Sequence, residues 1–387
     1  MKYDFDRIIE RRGTNSEKWD VSDGELPMWV ADMDFATAPE IIDALKKRAD
    51  HGIFGYSGIP DEWYEAYISW WEKRHQFTID REWLVFTTGV IPGISSIIRK
   101  LTTPAEKVLV QTPVYNIFFN SIINNGRQVK ESPLLLKDDH YEMDFEQLEK
   151  DLSDPQTSLM LLCNPQNPGG RIWTKDELAK VAELCARYDV RVVSDEIHCD
   201  ITAPGTSYVP FAGVSDTAGD ISVTCISPSK AFNIAGLHSA AVFAANKKIR
   251  HMVWRGLNTD EVAEPNAFAV TAAVAAFTKG GEWLDALNGY IDKNKKLATD
   301  YINTRIKGIR PIQGNATYLL WMDIRDLPEN GAGFCEFLRK KTGLILSDGE
   351  IYGRAGKGFL RMNLACPESV LEDGLSRLKT GAELYQK

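Results

Sequence analysis

At 387 residues the chain is long enough for about two or three domains of ordinary size. Hydrophobic residues make up 44% of it and charged residues 26%, which is ordinary for a globular protein and argues against a disordered or fibrous chain. The formal net charge of -9 disfavours a nucleic-acid-binding surface, because phosphate recognition generally needs a concentrated basic face.

The beginning of the chain lacks a secretory apolar core, and the apolar run at 267–277 is too short to span a bilayer. We therefore expect a cytoplasmic protein without a membrane segment. The six cysteines form no CxxC pair and sit mostly in apolar runs, which predicts reduced core thiols. His198, Cys199 and Asp200 are adjacent, but neighbours on an extended chain point to opposite faces, so no metal site is predicted.

From about residue 84 to 245, short apolar runs alternate with helical patterns, which indicates a mostly parallel sheet covered by helices. Thr174 and Glu177 form a possible capping box at the start of one of these helices. The predicted strands are 84–86, 108–110, 159–163, 190–193, 221–226 and 240–244.

The pattern changes beyond about residue 285 to a long helix, a strand at 316–324, a helix at 334–341, a strand at 358–365 and a terminal helix. This predicts a smaller α/β domain. The first 40 residues have few periodic signals, and we expect an arm with a short helix. The predicted division is an N-terminal arm of residues 1–40 that joins the small domain, a large domain of 41–285 and a small domain of 286–387.

Polar residues follow five of the predicted strands. Ligands of an open parallel sheet bind beyond the carboxyl ends of its strands, so these residues are candidates for a site. Gly89 and Val90 follow the first strand in a glycine turn whose free amides can hold a phosphate, although such turns are common before helices. Tyr115 follows the second strand, and its ring can lie against a flat heterocycle or fill the core.

The next three strands end in an amide, an acid and a lysine. Asn167 lies in a loop of prolines and glycines that either aims the amide or only forms a turn. Asp195 at a strand end needs a positive or donor partner, such as a protonated pyridine nitrogen. Lys230, with the hydroxyls of Ser227 and Ser229 beside it, suggests a covalent amine held over a phosphate site. Each of these residues alone could have a purely structural role. Their occurrence after five predicted strands, in this order along the chain, indicates that they form one site.

This ordered set resembles the fold-type I enzymes that depend on pyridoxal 5'-phosphate (PLP), the aspartate aminotransferase superfamily. The resemblance covers nearly the whole chain and implies a mostly parallel sheet with helices on both faces plus a smaller α/β domain. It implies that Lys230 of the SxSK motif binds PLP covalently and that Asp195 of the DE motif pairs with the pyridine nitrogen. It also implies that Asn167 contacts the phenolic oxygen and that Tyr115 stacks on the ring.

The same resemblance assigns phosphate contacts to Gly89, Val90, Ser227 and Ser229. Tyr56 resembles the tyrosine that reaches the phosphate from the neighbouring subunit, which implies a homodimer. Arg361 resembles the arginine that binds the substrate α-carboxylate, and its planar guanidinium suits that role because it can donate two parallel hydrogen bonds. The alternative for Arg361 is a surface position on an edge strand.

Within the superfamily, the stretches 11–20, 27–35 and 195–198 resemble the MalY/PatB branch, whose members are mostly cystathionine β-lyases and other carbon-sulfur lyases. Two histidines depart from the aminotransferase pattern and agree with this placement. His198 replaces a tyrosine that donates to the phenolic oxygen, and His238 replaces a phosphate-binding arginine. His198 is a cofactor-binding candidate, although both histidines can equally be structural.

The resemblance predicts a PLP-dependent carbon-sulfur β-lyase that cleaves cystathionine or related S-substituted cysteines to a thiol, pyruvate and ammonia. Lys230 is the predicted catalytic base, and the substrate-binding candidates are Arg361, Trp29 and Asn167. The alternative enzyme is a PLP-dependent aminotransferase, which shares these anchors. The alternative of another class is a regulatory PLP-binding protein. We expect an amino-acid substrate and no nucleic-acid or membrane partner.

Overall fold

The structure, a computed structural model, describes residues 3–387, so residues 1 and 2 of the predicted arm lie outside the described residues. The strands are β1 (Leu26–Pro27), β2 (Leu84–Thr87), β3 (Lys107–Val110), β4 (Gln128–Glu131), β5 (Leu135–Lys137), β6 (His140–Glu142), β7 (Thr157–Cys163), β8 (Arg191–Asp195), β9 (Ser222–Ile226), β10 (Ala240–Phe243), β11 (Arg310–Pro311), β12 (Leu319–Asp323), β13 (Leu344–Ile345), β14 (Ser347–Asp348) and β15 (Phe359–Asn363). The α-helices are α1 (Pro39–Asp50), α2 (Asp61–His75), α3 (Val90–Leu101), α4 (Ile117–Ile123), α5 (Phe145–Leu152), α6 (Lys175–Arg187), α7 (Asp216–Ile221), α8 (Lys247–Thr259), α9 (Ala269–Lys279), α10 (Gly281–Arg305), α11 (Phe334–Thr342) and α12 (Glu368–Tyr385).

The larger sheet has seven strands in the order β2-β10-β9-β8-β7-β3-β4. Only β10 is antiparallel to its neighbours in this sheet, and the remaining pairs are parallel. The carboxyl ends of β2, β3, β7, β8 and β9 therefore lie along one edge. Each of the six strands predicted between residues 84 and 244 overlaps one of these strands.

Helices cover both faces of the larger sheet. Successive side chains of a strand point to opposite faces, and in β7 Met160 and Leu162 belong to one buried apolar cluster whereas Leu159 and Leu161 belong to another. The predicted capping box at Thr174 is present at the start of α6, where the side chains of Thr174 and Glu177 each accept a hydrogen bond from the other residue's amide. The two-sided burial explains why these strands are continuous apolar runs.

The second sheet has the order β11-β12-β15-β14 and is antiparallel. It packs with α10, α11 and α12 around its own apolar cluster. The N-terminal segment meets this part of the molecule, because β1 pairs in parallel with β13. Helix α10 spans the boundary predicted at residue 285, and the division into domains stays a prediction.

One expectation for the N-terminal arm was wrong. Residues 3–38 contain no α-helix, and the first helix begins at Pro39. The arm is instead held by side chains: Arg11 and Lys18 form ion pairs with Asp34 at 2.7 and 2.8 Å, and Lys18 is only 1% exposed. Among residues 3–387, no helix combines the length and the apolar character needed to cross a membrane. The cytoplasmic location stays a prediction.

Candidate active site

The predicted residues converge at the carboxyl edge of the larger sheet. They share a cavity of about 200 Å³, whose lining also includes Ala31, Cys163, Ile197 and His238. The predicted residues in its wall are Gly89, Val90, Tyr115, Asn167, Asp195, His198, Ser229 and Lys230. Parallel pairing of β7, β8 and β9 brings these separate chain segments to one place.

The Lys230 amine lies inside this cavity and not on the surface. Its Nζ donates a hydrogen bond to the carbonyl oxygen of Ala31 at 2.7 Å. Burial, together with the nearby Arg361 cation, lowers the pKa of Lys230 to about 8. An amine with this pKa has a substantial neutral fraction near neutral pH, as a nucleophile or base requires.

Asp195 ends β8, opposite Cys163 on one neighbouring strand and Cys225 on the other. It is 4% exposed, and its Oδ1 accepts a hydrogen bond from the Ile197 amide at 3.1 Å. Burial raises the pKa of Asp195 to about 7, although the Lys230 cation opposes this effect. The carboxyl group is therefore placed where a cationic ligand group would be strongly favoured.

Arg361 on β15 connects the second sheet to this cavity. Its Nη1 donates to Asn167 Oδ1 at 3.2 Å, and its Nη2 donates to the carbonyl oxygen of Trp29 at 2.9 Å. Because a guanidinium can only donate, Asn167 must turn its oxygen toward Arg361 and its NH₂ group away from it. Arg361 is 5% exposed, so the alternative of a surface arginine is wrong. Its Nε and the indole nitrogen of Trp29 are buried and lack partners among the described residues.

Two further rings line the cavity. The Tyr115 ring packs edge-on against Phe118, and burial raises the pKa of Tyr115 to about 12, so its hydroxyl stays protonated. His198 is 3% exposed, and its Nδ1 has no partner within residues 3–387. Burial and the cations of Lys230 and Arg361 lower the pKa of His198 to about 3, which keeps the imidazole neutral.

The candidate phosphate end combines a helix N-terminus with hydroxyl groups. Helix α3 begins at Val90 with Gly89 as its N-cap, and the first turn of a helix leaves its amides without helical partners. Ser229 Oγ lies 2.7 Å from Ser227 Oγ, which also bonds the Ser239 carbonyl oxygen at 2.7 Å. This end has the donors that a phosphate ligand needs.

Four predicted residues do not line the cavity. Ser227, Arg361 and Trp29 lie beside it, through hydrogen bonds with Ser229, Asn167 and Arg361 respectively, whereas Tyr56 lies apart. Its side chain is fully exposed, and Ile53 and Phe54 beside it are 67% and 54% exposed. An exposed run of this kind is typical of a protein interaction surface. The contact predicted for Tyr56 with a neighbouring subunit stays a prediction.

Three residues at the site were missed by the sequence analysis. Ala31 supplies the acceptor for Lys230, and the Tyr318 hydroxyl donates to the same carbonyl oxygen at 2.8 Å. Asn363 holds the carbonyl oxygens on either side of Ala31, those of Val30 and Asp32. Asn363 is two residues after Arg361 on one strand, so the alternation of side chains was a usable signal. Ala31 acts through its backbone carbonyl group, which every residue has, so its side-chain identity gave no signal in the sequence.

A separate buried polar cluster contains His75, Cys199 and Asp200, whose potential ligand atoms lie within 4.8 Å of one another. The Asp200 carboxylate accepts hydrogen bonds from Trp70 Nε1 at 3.0 and 3.1 Å and lies 3.0 Å from His75 Nε2. These contacts tie α2 to the loop after β8. Because these hydrogen bonds occupy both oxygens of the Asp200 carboxylate, we interpret the cluster as a structural hydrogen-bond network.

Comparison with known proteins supports one family. Residues 26–378 match the family described as aminotransferase class I and II. Cystathionine beta-lyase PatB of Bacillus subtilis (strain 168) is 43% identical over 382 residues, which cover 97% of this chain and 98% of that protein. Protein MalY of Escherichia coli (strain K12) is 37% identical over 384 residues, which cover 97% and 98%.

A solved structure agrees with these relatives. The crystal structure of cystalysin from Treponema denticola, which contains a pyridoxal 5'-phosphate cofactor, superposes with a TM-score of 0.95 at 35% identity and covers 99% of both chains. The fold-type I architecture and the resemblance to the MalY/PatB branch are therefore confirmed. The chain belongs to the aminotransferase class I and II family, in the branch that contains PatB and MalY.

Proposed function

We propose that this protein is a PLP-dependent carbon-sulfur β-lyase that cleaves cystathionine or related S-substituted cysteines to a thiol, pyruvate and ammonia. One observation carries the proposal: the Lys230 amine, with its lowered pKa, and the buried Asp195 carboxyl group line the same cavity. The names of two relatives agree with it, because PatB is a cystathionine beta-lyase and cystalysin contains PLP.

The cavity residues fit PLP on their own chemistry. Asp195 is a buried acid with a raised pKa, and a protonated pyridine nitrogen supplies the positive donor that it needs. The Asn167 NH₂ group points away from Arg361 and is the donor for the phenolic oxygen. The start of α3 and the Ser229 hydroxyl suit the phosphate, and the Tyr115 ring suits the face of the pyridine.

When bound, PLP supplies an electron sink for the negative charge that develops at the substrate α carbon. Lys230 removes the α proton, and its lowered pKa allows the amine to be neutral for this step. Arg361 holds the α-carboxylate with its guanidinium, which fixes the direction of the α C-H bond. A thiolate then leaves the β carbon, and hydrolysis gives pyruvate and ammonia.

His198 contributes as a neutral group. Before PLP binds, burial and the neighbouring cations lower its pKa to about 3, and its unpaired ring nitrogen would be available to the cofactor. The substitution of a histidine for the tyrosine of many aminotransferases therefore changes the hydrogen-bonding group without adding a charge.

The reaction type separates the lyase from the aminotransferase. The test incubates purified, PLP-loaded protein with cystathionine alone and measures pyruvate, ammonia and free thiol. A second incubation supplies an amino acid together with a 2-oxo acid. We expect product without the oxo acid, and a strict requirement for the oxo acid would assign the protein to the aminotransferases instead.

We further propose that the active form is a homodimer in which Tyr56 reaches the phosphate of the partner's site. The exposed Ile53, Phe54 and Tyr56 support this arrangement, because a second copy would cover them. The test mixes subunits that carry Tyr56→Ala with subunits that carry Lys230→Ala. A mixed dimer then has one site with both residues and one site with neither.

Random pairing of equal amounts makes half of the dimers mixed, so activity should approach about a quarter of the wild-type value. Both parent proteins should be less active than the mixture. If the mixture only averages the two parents, Tyr56 does not act across the interface.

A further inference from the structure

The segment Trp29–Phe35 is here called the strap. Its backbone lies against the site. Its carbonyl oxygens accept hydrogen bonds from Arg361 of β15 and from two side chains in the turn that follows β9. Arg361 donates to Trp29 at 2.9 Å, Lys230 donates to Ala31 at 2.7 Å, and Asn233 donates to Met33 at 3.0 Å and to Phe35 at 2.9 Å. The position of the strap backbone therefore decides what the Lys230 amine contacts.

Asn363 forms hydrogen bonds with the middle of the strap. Its Nδ2 donates to the carbonyl oxygens of Val30 at 2.6 Å and Asp32 at 2.5 Å, and its Oδ1 accepts from the Ala365 amide at 2.8 Å. The side chain is 1% exposed, so water does not compete for these bonds. All the hydrogen-bonding groups of this amide except one acceptor lone pair are thus engaged.

The two carbonyl groups that Asn363 holds flank the carbonyl group that Lys230 uses. Peptide units are planar, so fixing the units on both sides leaves the Ala31 unit little freedom to rotate. Its oxygen is then directed at Lys230 Nζ and at the Tyr318 hydroxyl, at 2.7 and 2.8 Å. Asn363 does not line the cavity, and its side-chain hydrogen bonds go to Val30, Asp32 and Ala365 and not to Lys230, so it acts through the strap.

We propose that Asn363 is a positioning residue, which fixes the Ala31 carbonyl group so that it holds the Lys230 amine in place for proton transfer. The inference rests on the proposed function, because it assigns Lys230 as the base. Lys230 can take the α proton only when its amine is not covalently bound. The Ala31 oxygen is then the acceptor for an N-H group of this amine. Loss of this contact leaves the amine able to react but badly placed.

The experiment compares Asn363→Ala with the wild type in the PLP-loaded enzyme, using cystathionine. We expect kcat to fall about tenfold to a hundredfold, because small misplacement of a reacting group costs about this much. KM should change by less than about threefold, because Arg361 and its carboxylate contacts are kept. A fall in kcat without a rise in KM separates positioning from substrate binding.

The pH profile of kcat is the second readout. The Ala31 oxygen stabilises the ammonium form of Lys230 more than the amine form, so its loss lowers the lysine pKa. The base is then neutral at lower pH, and the acidic limb of the profile should move to lower pH by about half a unit or more. A loss of stability alone would not move this limb.

Asn294→Ala is the matched control. Asn294 is also fully buried, and its Nδ2 donates at 2.9 Å to the carbonyl oxygens of Leu364 and Cys366, again two residues apart. It contacts no residue of the strap through these bonds. The control should lose a similar amount of thermal stability while its acidic limb stays at the wild-type pH.

The outcomes are distinguishable. If the wild type does not eliminate thiol from cystathionine, the proposed function fails. If the wild type does so and Asn363→Ala keeps its kcat and its acidic limb, the positioning role of Asn363 is overturned. If Asn363→Ala does not fold, Asn363→Ser keeps one donor and should show a smaller shift in the same direction; an unmoved limb in that variant also overturns the role.

Discussion

The two sides of the site hold their functional groups by different means. On the side of the larger sheet, Asp195 ends β8 in register with both neighbouring strands, and Lys230 lies in the turn four residues after β9 ends. On the other side, Arg361 and Asn363 reach from β15 to carbonyl oxygens of the strap. One side is built on regular backbone pairing, whereas the other is built on hydrogen bonds between side chains and an irregular segment.

The two sides of the site therefore differ in how easily their backbone can shift. A strand in the middle of a seven-stranded sheet can shift only if the sheet rearranges, so the cofactor end has one geometry. The strap has no strand partner between Trp29 and Phe35. The core packing of Met33 and Phe35 holds its end, whereas its backbone near the site is held by polar contacts, each of modest net strength. We therefore expect changes on the sheet side to abolish chemistry, and changes on the strap side to alter positioning, substrate use and stability.

The largest effect should follow from the Lys230→Ala substitution on the sheet side. Removal of a catalytic base and nucleophile typically costs about a thousandfold or more in kcat. Turnover of cystathionine by the purified variant measures the effect, and added ethylamine should restore a small part of the rate by replacing the missing amine. Substantial activity without the added amine would remove Lys230 from its assigned role.

On the strap side, Asp34→Ala should chiefly reduce stability. Asp34 pairs with Lys18 at 2.8 Å and Arg11 at 2.7 Å and accepts from Trp19 Nε1 at 2.7 Å, and Lys18 is almost completely buried. Loss of the carboxylate leaves the buried Lys18 ammonium with only the more distant Asp32, at 3.8 Å, as a counterion, which costs about 3 kcal/mol. Urea unfolding of the variant gives the value.

Asp32→Ala is the companion variant on the same segment. Asp32 is 26% exposed, pairs with Arg11 at 2.6 Å and lies at the longer distance of 3.8 Å from Lys18. Water can replace these contacts, so the cost should stay near 1 kcal/mol, about the value for exposed pairs. Equal losses in the two variants would contradict the view that the buried Lys18 anchors the strap.

Arg361→Lys tests the substrate end of the strap side. A lysine keeps the charge but loses the planar pair of donors, so kcat/KM for substrates with an α-carboxylate should fall about tenfold to a hundredfold, equivalent to one charge-assisted hydrogen bond. Steady-state kinetics measures this change. Arg325→Lys provides a control, because Arg325 also forms a bidentate pair, at 2.9 and 2.7 Å from Asp323, away from the cavity. Similar losses in both variants would argue against the carboxylate role of Arg361.

The same division explains what the sequence could predict. Residues at the ends of apolar strands, such as Tyr115 and Asp195, were found because strand periodicity and chain order place them together. Within the strap, Trp29 was predicted to bind substrate, and the rest was noted only as similar to the MalY/PatB branch. Its function depends on the direction of backbone carbonyl groups such as that of Ala31, and any residue supplies such a group, so side-chain identity carries no signal for it.

The arm shows a second limit of sequence reasoning. A short helix was expected within the first 40 residues, but Arg11, Lys18 and Asp34 hold this segment through side-chain contacts. Such contacts join residues far apart in the chain and leave no periodic pattern. The stretches 11–20 and 27–35 resembled one branch of the family, and their mutual ion pairs give a physical reason for the two to occur together.

A separate effect concerns the charge of Asp195 before PLP binds. Its pKa is about 7 in the folded protein and about 3.9 in an unfolded chain, so between these values the folded state binds a proton that the unfolded state lacks. Stability from this group is therefore complete below about pH 4 and is lost as pH rises toward 7, by at most about 1.4 kcal/mol per pH unit. Urea unfolding of PLP-free protein at several pH values measures the slope. Asp195→Asn should reduce the slope within this window, to which the buried Glu196, with a pKa raised to about 8, also contributes. Under the proposed function, bound PLP should reduce the slope as well, because the pyridine nitrogen would give the Asp195 carboxylate a partner; parallel curves for wild type and variant would show that Asp195 is not an unpaired buried acid.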